Sequence, residues 1–437
     1  MKIAVVGSGI SGMGAALALS EVHDVTLFEG SSRFGGHANT QIAAFGAKDV
    51  PVDTGFIVYN YANYPNLTGL FEHLDIPTKW SDMSFGMSLK GGALEYAFDS
   101  LDKIFAQRSN IVSLGFWKLL KEIKRFNDTA VGQLDRGELN GVSLGDWTRR
   151  EGYSQWFRER FILPMGGAIW STPISEILDF PAKNFVTFFR NHDLMTGLDA
   201  AQRWRTVDGG SRVYVERLIA KLGDRAVLNR TVTRLDRETG QPRLTFADGS
   251  AQLFDQVIMA THGPATFEMI SDKSDAEARI LGGFRVSKNT AVLHSDPSLM
   301  PKRQKVWSSW NFLTDDTSDN PDRPAPVTYW MNRLQSIPNE TPLFISLNPI
   351  KTPSEDLVHG TYSYDHPIFE TNTFDLQKQL EHLQGRGGVW YAGAWLGYGF
   401  HEDGLRSGLR VAAALGARPS WAGEEAASFD TGVRAAE

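Results

Sequence analysis

Residues 2–12 constrain the fold of this chain more than any other stretch. KIAVV at residues 2–6 is a short apolar run rich in β-branched side chains, and it passes directly into Gly7-Ser8-Gly9-Ile10-Ser11-Gly12. A strand feeding a GxGxxG turn, then a helix of small residues reaching about Val22, opens a βαβ unit of the kind that grips a dinucleotide. DVTLF at residues 24–28 reads as the second strand, and Glu29 closes it about twenty residues after the glycines. Gly7 permits the tight turn, Gly9 admits a pyrophosphate close to the backbone, and Gly12 lets the helix lie against the sheet. Ser11 belongs to the same turn, at the positive end of the helix. Glu29, with Gly30 after it, is placed to accept hydrogen bonds from an adenosine ribose. A signal peptide fits poorly, because glycine interrupts the apolar run and Glu21, His23 and Asp24 follow.

Arg33-Phe34-Gly35-Gly36-His37-Ala38-Asn39-Thr40 comes next, and Val52-Asp53-Thr54-Gly55-Phe56 follows a hairpin-like insert. With GxGxxG, an acid, an RxGG segment and DxG in this order, the chain resembles the FAD-dependent amine oxidase and phytoene desaturase superfamily over nearly its whole length. The resemblance implies an α/β fold: a Rossmann-like FAD-binding domain of the glutathione-reductase type from residues 1–80, 200–275 and 385–418. An α+β substrate domain would be inserted in two excursions, 81–199 and 276–384, with a mobile tail at 419–437. Arg33, Gly36, His37, Gly55 and Phe56 become expected FAD contacts by the same resemblance. The family's usual second Arg is His37 here, so the charge offered near the pyrophosphate is expected to be weaker and to depend on pH.

The absence of Cys removes disulfides, thiolate metal sites and a cysteine tether, so FAD is expected to be non-covalent, with attachment through His as the alternative, and no metal site is expected. A net charge of −7 argues against a nucleic-acid partner. No apolar run reaches the roughly eighteen residues of a membrane span, and a cytoplasmic protein is expected. No oligomeric state follows from the sequence.

Residues 64–74 read as an amphipathic helix, and 84–89 with 94–98 as a hairpin around Gly91-Gly92. One or two helices are expected over 100–130. Apolar residues at 117, 119, 120, 123 and 126 form a stripe there, with Lys118, Lys121, Lys124 and Arg125 on the other side. That pattern suits a peripheral membrane contact or an ordinary surface helix. Residues 144–161 read as a further helix, and 162–170 as the wall of a substrate chamber in which Gly166-Gly167 beside Trp170 approach a flat group or simply turn. Twelve Trp and 26 Phe, many in the middle of the chain, suggest an apolar cavity or an ordinary core. After Gly209-Gly210 a helix is expected at 213–222, a strand at 225–235 and a hairpin at 244–254 with an Asp-Gly turn. Val232 would, by the resemblance, reach the adenine through its backbone. Strands are expected at 289–294, 326–331 and 343–347, and Lys288 falls where some amine oxidases place a lysine near flavin N5, although a solvent-facing lysine explains it equally.

A strand at 389–392 leads into Gly393-Ala394-Trp395 and then a glycine-rich turn and helix to Leu415. The superfamily's closing motif takes this form, with the helix N-terminus facing the flavin, so Gly393, Ala394, Asp403 and Leu405 are expected contacts. Ala394 stands where a carboxylate is usual. His401 matches one of two aromatic positions that frame the amine in amine oxidases, and it and Tyr59 are the candidate catalytic residues, with Asn60 beside them. In Gly36-His37-Ala38-Asn39-Thr40, the run from Val52 to Asn60, Tyr64-Pro65-Asn66-Leu67 and Ala260-Thr261-His262, the chain resembles a bacterial branch of NAD/FAD-binding oxidoreductases linked to methylated and furan fatty acids. That resemblance implies a desaturase acting on a methyl-branched or unsaturated fatty acyl chain, with a lipid or fatty acyl substrate. The alternatives are an amine oxidase releasing imine and peroxide, and a non-catalytic lipid-binding protein of the same fold.

Overall fold

The computed structural model describes residues 1–45, 48–191, 204–238, 240–315 and 324–423. Lys2–Val6 is the middle strand of a five-stranded sheet ordered Val389–Tyr391, Gln256–Met259, Lys2–Val6, Asp24–Phe28, Ala226–Val227, in which every pair is parallel. Ile3, Ala4 and Val5 are fully buried, as a parallel strand covered on both faces requires, and this explains the unbroken apolar run. All ten residues of the helix Ile10–Leu19 are buried. A Cβ at Gly12 would fall on the Gly7 carbonyl, and one at Gly408 would fall on the Ser11 carbonyl. The first helix therefore lies directly against the first strand on one side and the last helix, His401–Ala414, on another.

Val232–Asp236, Arg243–Phe246 and Ala251–Leu253 form a three-stranded antiparallel sheet whose Leu235, Leu244 and Phe246 pack on Ala4, Val6 and Phe28. A seven-stranded sheet runs Val358–Ile368, Arg285–His294, Phe344–Leu347, Val327–Trp330, Trp310–Leu313, Phe85–Leu89, Leu94–Ala97. Its one parallel pair, Trp310–Leu313 with Phe85–Leu89, joins the 80s to the 310s. Helices Leu114–Asp135, Leu163–Trp170 and Ala182–Asn191 cover it through an aromatic core of Phe116, Phe126, Trp147, Phe157, Phe185 and Phe189. The molecule is thus a mixed α/β fold.

Several expectations change. The strand expected at 225–235 divides: Ala226–Val227 edges the parallel sheet, Asn229 turns with φ 55°, and Val232–Asp236 starts the antiparallel one. The helix expected at 144–161 also divides, into Leu144–Arg150, Gln155–Phe157 and a π turn at Arg158–Ile162. Gly166 and Gly167 lie inside Leu163–Trp170 and meet Ile177, Phe185 and Ala325, so they serve helix packing. Lys288 is exposed between buried Ser287 and Asn289, because strand alternation turns it outward. The chain beyond Pro419 stays in contact as far as it is described: Gly423 N donates to Asn66 Oδ1 at 2.9 Å. Residues 424–437 lie outside the described residues.

Candidate functional site

A cavity of about 1160 Å³ connects the two sheets. At one end it is lined by Gly7, Gly9, Ser11, Phe28, Glu29, Gly30, Arg230 and Val232. Gly7 has φ +102°, a conformation glycine adopts without strain. Gly9 is the N-cap of the first helix, no side chain caps it, and a Cβ there would meet nothing within 4 Å. Unpaired N–H groups of the first turn therefore face open space, the setting an anionic phosphate occupies. Glu29 Oε2 accepts from Ser8 N at 2.9 Å and Ser8 Oγ at 2.6 Å, and Oε1 from Ser31 N at 2.9 Å. Burial works to raise its pKa, but these hydrogen bonds outweigh it and hold the carboxyl below its ordinary value, so Glu29 is a charged acceptor.

The DxG segment is locked from three sides. Asp53 accepts from Thr40 Oγ1 at 2.6 Å, from Ser211 N at 2.8 Å and Oγ at 2.7 Å, and from Gln335 Nε2 at 2.9 Å. This accounts for Gly209-Gly210-Ser211: a Cβ on Gly210 would strike Thr40. With Asp53 fixed, Phe56 N donates to His37 O at 2.8 Å, and Gly55 lies so close to that carbonyl that any side chain would displace it.

His37 does not point a titrating charge at the phosphate end. Its ring sits 5.7 Å from His262, 5.1 Å from Tyr364 and 5.4 Å from His366. Burial first, and then the unfavourable interaction of a charged ring with the protonated forms of His366, His262 and His401 and with Arg33, push its pKa well below the ordinary value. The pH-dependent charge expected of it is therefore absent near neutrality, because the imidazole is desolvated among other imidazoles. Tyr364 hydroxyl, beside it, accepts from Asn39 Nδ2 at 2.7 Å and shares a 2.6 Å hydrogen bond with Thr54 Oγ1.

His401 lines the cavity, with its ring stacked on Phe56 at 3.9 Å and 10° and its Nε2 2.7 Å from the Tyr214 hydroxyl. Burial lowers its pKa to about 3, so it is a neutral imidazole. Tyr59 is placed elsewhere: it is 1% exposed, packs on Tyr61, Tyr64 and Phe71, and does not line the cavity. Asn60 Oδ1 accepts from Asn63 N within its own turn.

Gly36, Gly393 and Ala394 also line the cavity, whereas four expected contacts do not present side chains to it. Gly12 is sealed between strand and helix. Arg33 bonds the carbonyls of Gly36 and Ala38 and so braces its own loop. Asp403 accepts from Tyr398 N and Phe400 N at 3.0 Å, closing the glycine-rich turn onto its helix. Leu405 is fully buried against Gly14. Sequence reasoning missed Tyr214, Tyr364 and His366. The last two share one face of a strand at i and i+2, a signal available in YDH; Tyr214 left no comparable sign.

Past His401 the cavity continues between Phe98, Phe161, Met165, Ile169, Trp170 and Phe188. Phe400 joins the two parts, 4.8 Å from Phe188 and 6.4 Å from Trp170. Its charged lining at Asp99, Lys124 and Asp128 is paired, Lys124 with Asp128 at 2.6 Å and Asp99 with Lys103. The site thus unites an open, uncapped helix N-terminus, a charged acceptor about one strand away, a neutral aromatic and imidazole wall, and an apolar chamber.

The model of the Flavin containing amine oxidoreductase family matches residues 10–272. A protein of Mycobacterium tuberculosis named as a flavin-containing monoamine oxidase, AofH, is 26% identical over 316 residues. That match takes in 71% of this chain and 62% of the relative, so less than two thirds of the relative's length is covered. Among solved structures, a CLA-producing fatty acid isomerase from P. acnes superposes with a TM-score of 0.65 at 14% identity, over 93% of this chain and 96% of its own. A putrescine oxidase bound to putrescine gives 0.67 at 16% identity, over 96% and 100%. Cyclohexylamine oxidase from Brevibacterium oxydans gives 0.66 at 17% identity, over 95% and 98%. These likenesses show the fold. The family match, with the cradle at Gly9 and Glu29, identifies the cofactor as FAD and the chain as a member of the flavin containing amine oxidoreductase family.

Proposed function

We propose that this FAD-dependent oxidoreductase is a desaturase of a methyl-branched or unsaturated fatty acyl chain, free or within a phospholipid. The observation that carries the reading is the chamber beyond His401. It is walled by Phe98, Phe161, Met165, Ile169, Trp170 and Phe188, and its charged lining groups Asp99, Lys124 and Asp128 are held in pairs. Such walls stabilise an alkyl chain by roughly 0.8 kcal/mol per buried CH₂. FAD supplies the hydride acceptor. The chain's own residues hold the C–H bond in place and exclude water: Phe56 and His401 form one wall, and His37, His262, Tyr364 and His366 another, all uncharged at neutral pH.

The same reading assigns phosphate contacts to Gly9 and Ser11, the ribose to Glu29, the adenine to the Val232 backbone, and the flavin to the N-terminus of His401–Ala414. Residues 1–80, 200–275 and 385–418 then form the FAD-binding unit, with 81–199 and 276–384 as the substrate unit. Deletion of the gene in its host, with profiling of membrane acyl chains, tests the proposal. A methyl-branched precursor should accumulate, and an unchanged profile overturns it.

A second reading, amine oxidation, is favoured by the aromatic rings of Trp170, Phe188 and Phe400 along the cavity, whose faces attract a cation. Peroxide release with simple amines would select it.

A further inference from the structure

We propose that the segment 101–121 docks this enzyme on an anionic lipid bilayer, with the chamber's mouth against the membrane. Leu101 is 65% exposed, Ile111 46%, Val112 83%, Leu114 87% and Trp117 49%. Scattered exposed apolar side chains need no explanation, but these five fall within seventeen residues of one another and are joined in space. The Trp117 indole N–H donates to Ile111 O at 2.8 Å, and its ring lies 5.2 Å from Phe105, which caps the short helix begun by Leu101. Ser113 caps the long helix through Phe116 N. An apolar residue just before such a cap ordinarily closes on the fourth helical residue, which would bring Val112 onto Trp117. Val112 instead faces outward.

Charge selects the occupant. Lys118 and Lys121 are exposed and make no ion pair among the described residues, on a chain whose net charge is −7. A basic, apolar-tipped face on an acidic molecule is attracted by an anionic bilayer while the remaining surface is repelled, which also sets orientation. The face adjoins the mouth. Trp117, Lys121, Lys124 and Asp128 follow one another at helical spacing along a single side of Leu114–Asp135, and Ile104, Leu120, Ile123, Lys124 and Asp128 line the cavity. A lipid tail leaving the bilayer beside Trp117 meets the opening within one or two helical turns. The docking face rests on exposure and charge; that an acyl chain enters by it rests on the proposed function.

Flotation of the FAD-loaded enzyme with phosphatidylcholine vesicles, with and without phosphatidylglycerol, tests the face. The enzyme should float with the phosphatidylglycerol vesicles and release as salt rises. Val112→Asp with Leu114→Asp should lower the bound fraction by about tenfold or more, and Lys118→Glu with Lys121→Glu should lower it about fivefold per lysine and erase the lipid preference. All four positions are exposed, so thermal unfolding and flavin content should match the parent. The proposal is overturned if the parent stays with neither vesicle, if Val112→Asp with Leu114→Asp floats like the parent, or if light scattering shows a dimer that Leu114→Asp dissolves. Flotation without oxidation of any acyl chain upholds the face and removes the desaturase reading. Oxidation of a dispersed acyl substrate without flotation does the reverse.

Discussion

His401 shows how position and environment divide a residue's role. Its place at the start of the last helix was legible from the motif, but its state was not, since the Phe56 ring and the Tyr214 hydroxyl that hold it come from segments far away in the chain. With its pKa at about 3, it is an uncharged hydrogen-bonding wall rather than an acid. His401→Phe should keep the stack and the flavin, lose the Tyr214 hydrogen bond at about 1–2 kcal/mol in thermal unfolding, and slow turnover less than about tenfold. A loss of a thousandfold or more would mean that the imidazole moves a proton. His37 carries the same lesson. The sequence marked it as unusual, while the cluster that keeps it neutral is assembled by His262 and by Tyr364 and His366, which lie more than 200 residues further along the chain.

The elements that shape the cradle were legible where they are local. The opening strand, turn and helix follow from residue size and spacing alone, and so do the strand and helix that close the chain. Their mutual seating was not, because it depends on contacts such as Gly408 on the Ser11 carbonyl. Gly408→Val should separate the two helices and yield protein without flavin absorbance, whereas an exposed change such as Lys118→Ala should not. Glu402 is a second hidden tie. Its carboxylate accepts from Asn66 N at 2.9 Å, Asn66 Nδ2 at 2.6 Å and Leu67 N at 3.0 Å, and so caps the helix Pro65–His73. Glu402→Gln turns one acceptor into a donor facing those N–H groups and should cost about 1–3 kcal/mol, measured by denaturant unfolding. The aromatic middle of the chain announced a large apolar region. It could not say which rings line the chamber and which fill the core, since Phe161 and Phe157 belong to one aromatic cluster and only the first reaches the cavity.

Over the whole molecule, His37, His262, His366 and His401 are all held neutral by burial. Their folded pKa values lie below the unfolded 6.5, so the unfolded chain binds more protons between the two, and stability rises with pH across that window. Stability should therefore be full above about pH 7 and fall as the pH drops towards 4. His366, at about 4, accounts for up to roughly 3 kcal/mol of this by itself. Asp53 and Glu402, raised by burial, act in the opposite sense. Denaturant midpoints at a series of pH values should show the decline, and His366→Gln should make it shallower without abolishing it. FAD, the α/β fold and the family are tied to this architecture; the acyl substrate is the central proposal. Its most direct test is anaerobic mixing of the oxidised holoenzyme with phospholipid bearing a methyl-branched acyl chain, following the flavin's visible absorbance and the mass of the acyl product. Bleaching should be matched by a product two hydrogens lighter; bleaching by amines alone, with the acyl chain recovered intact, would contradict an acyl substrate.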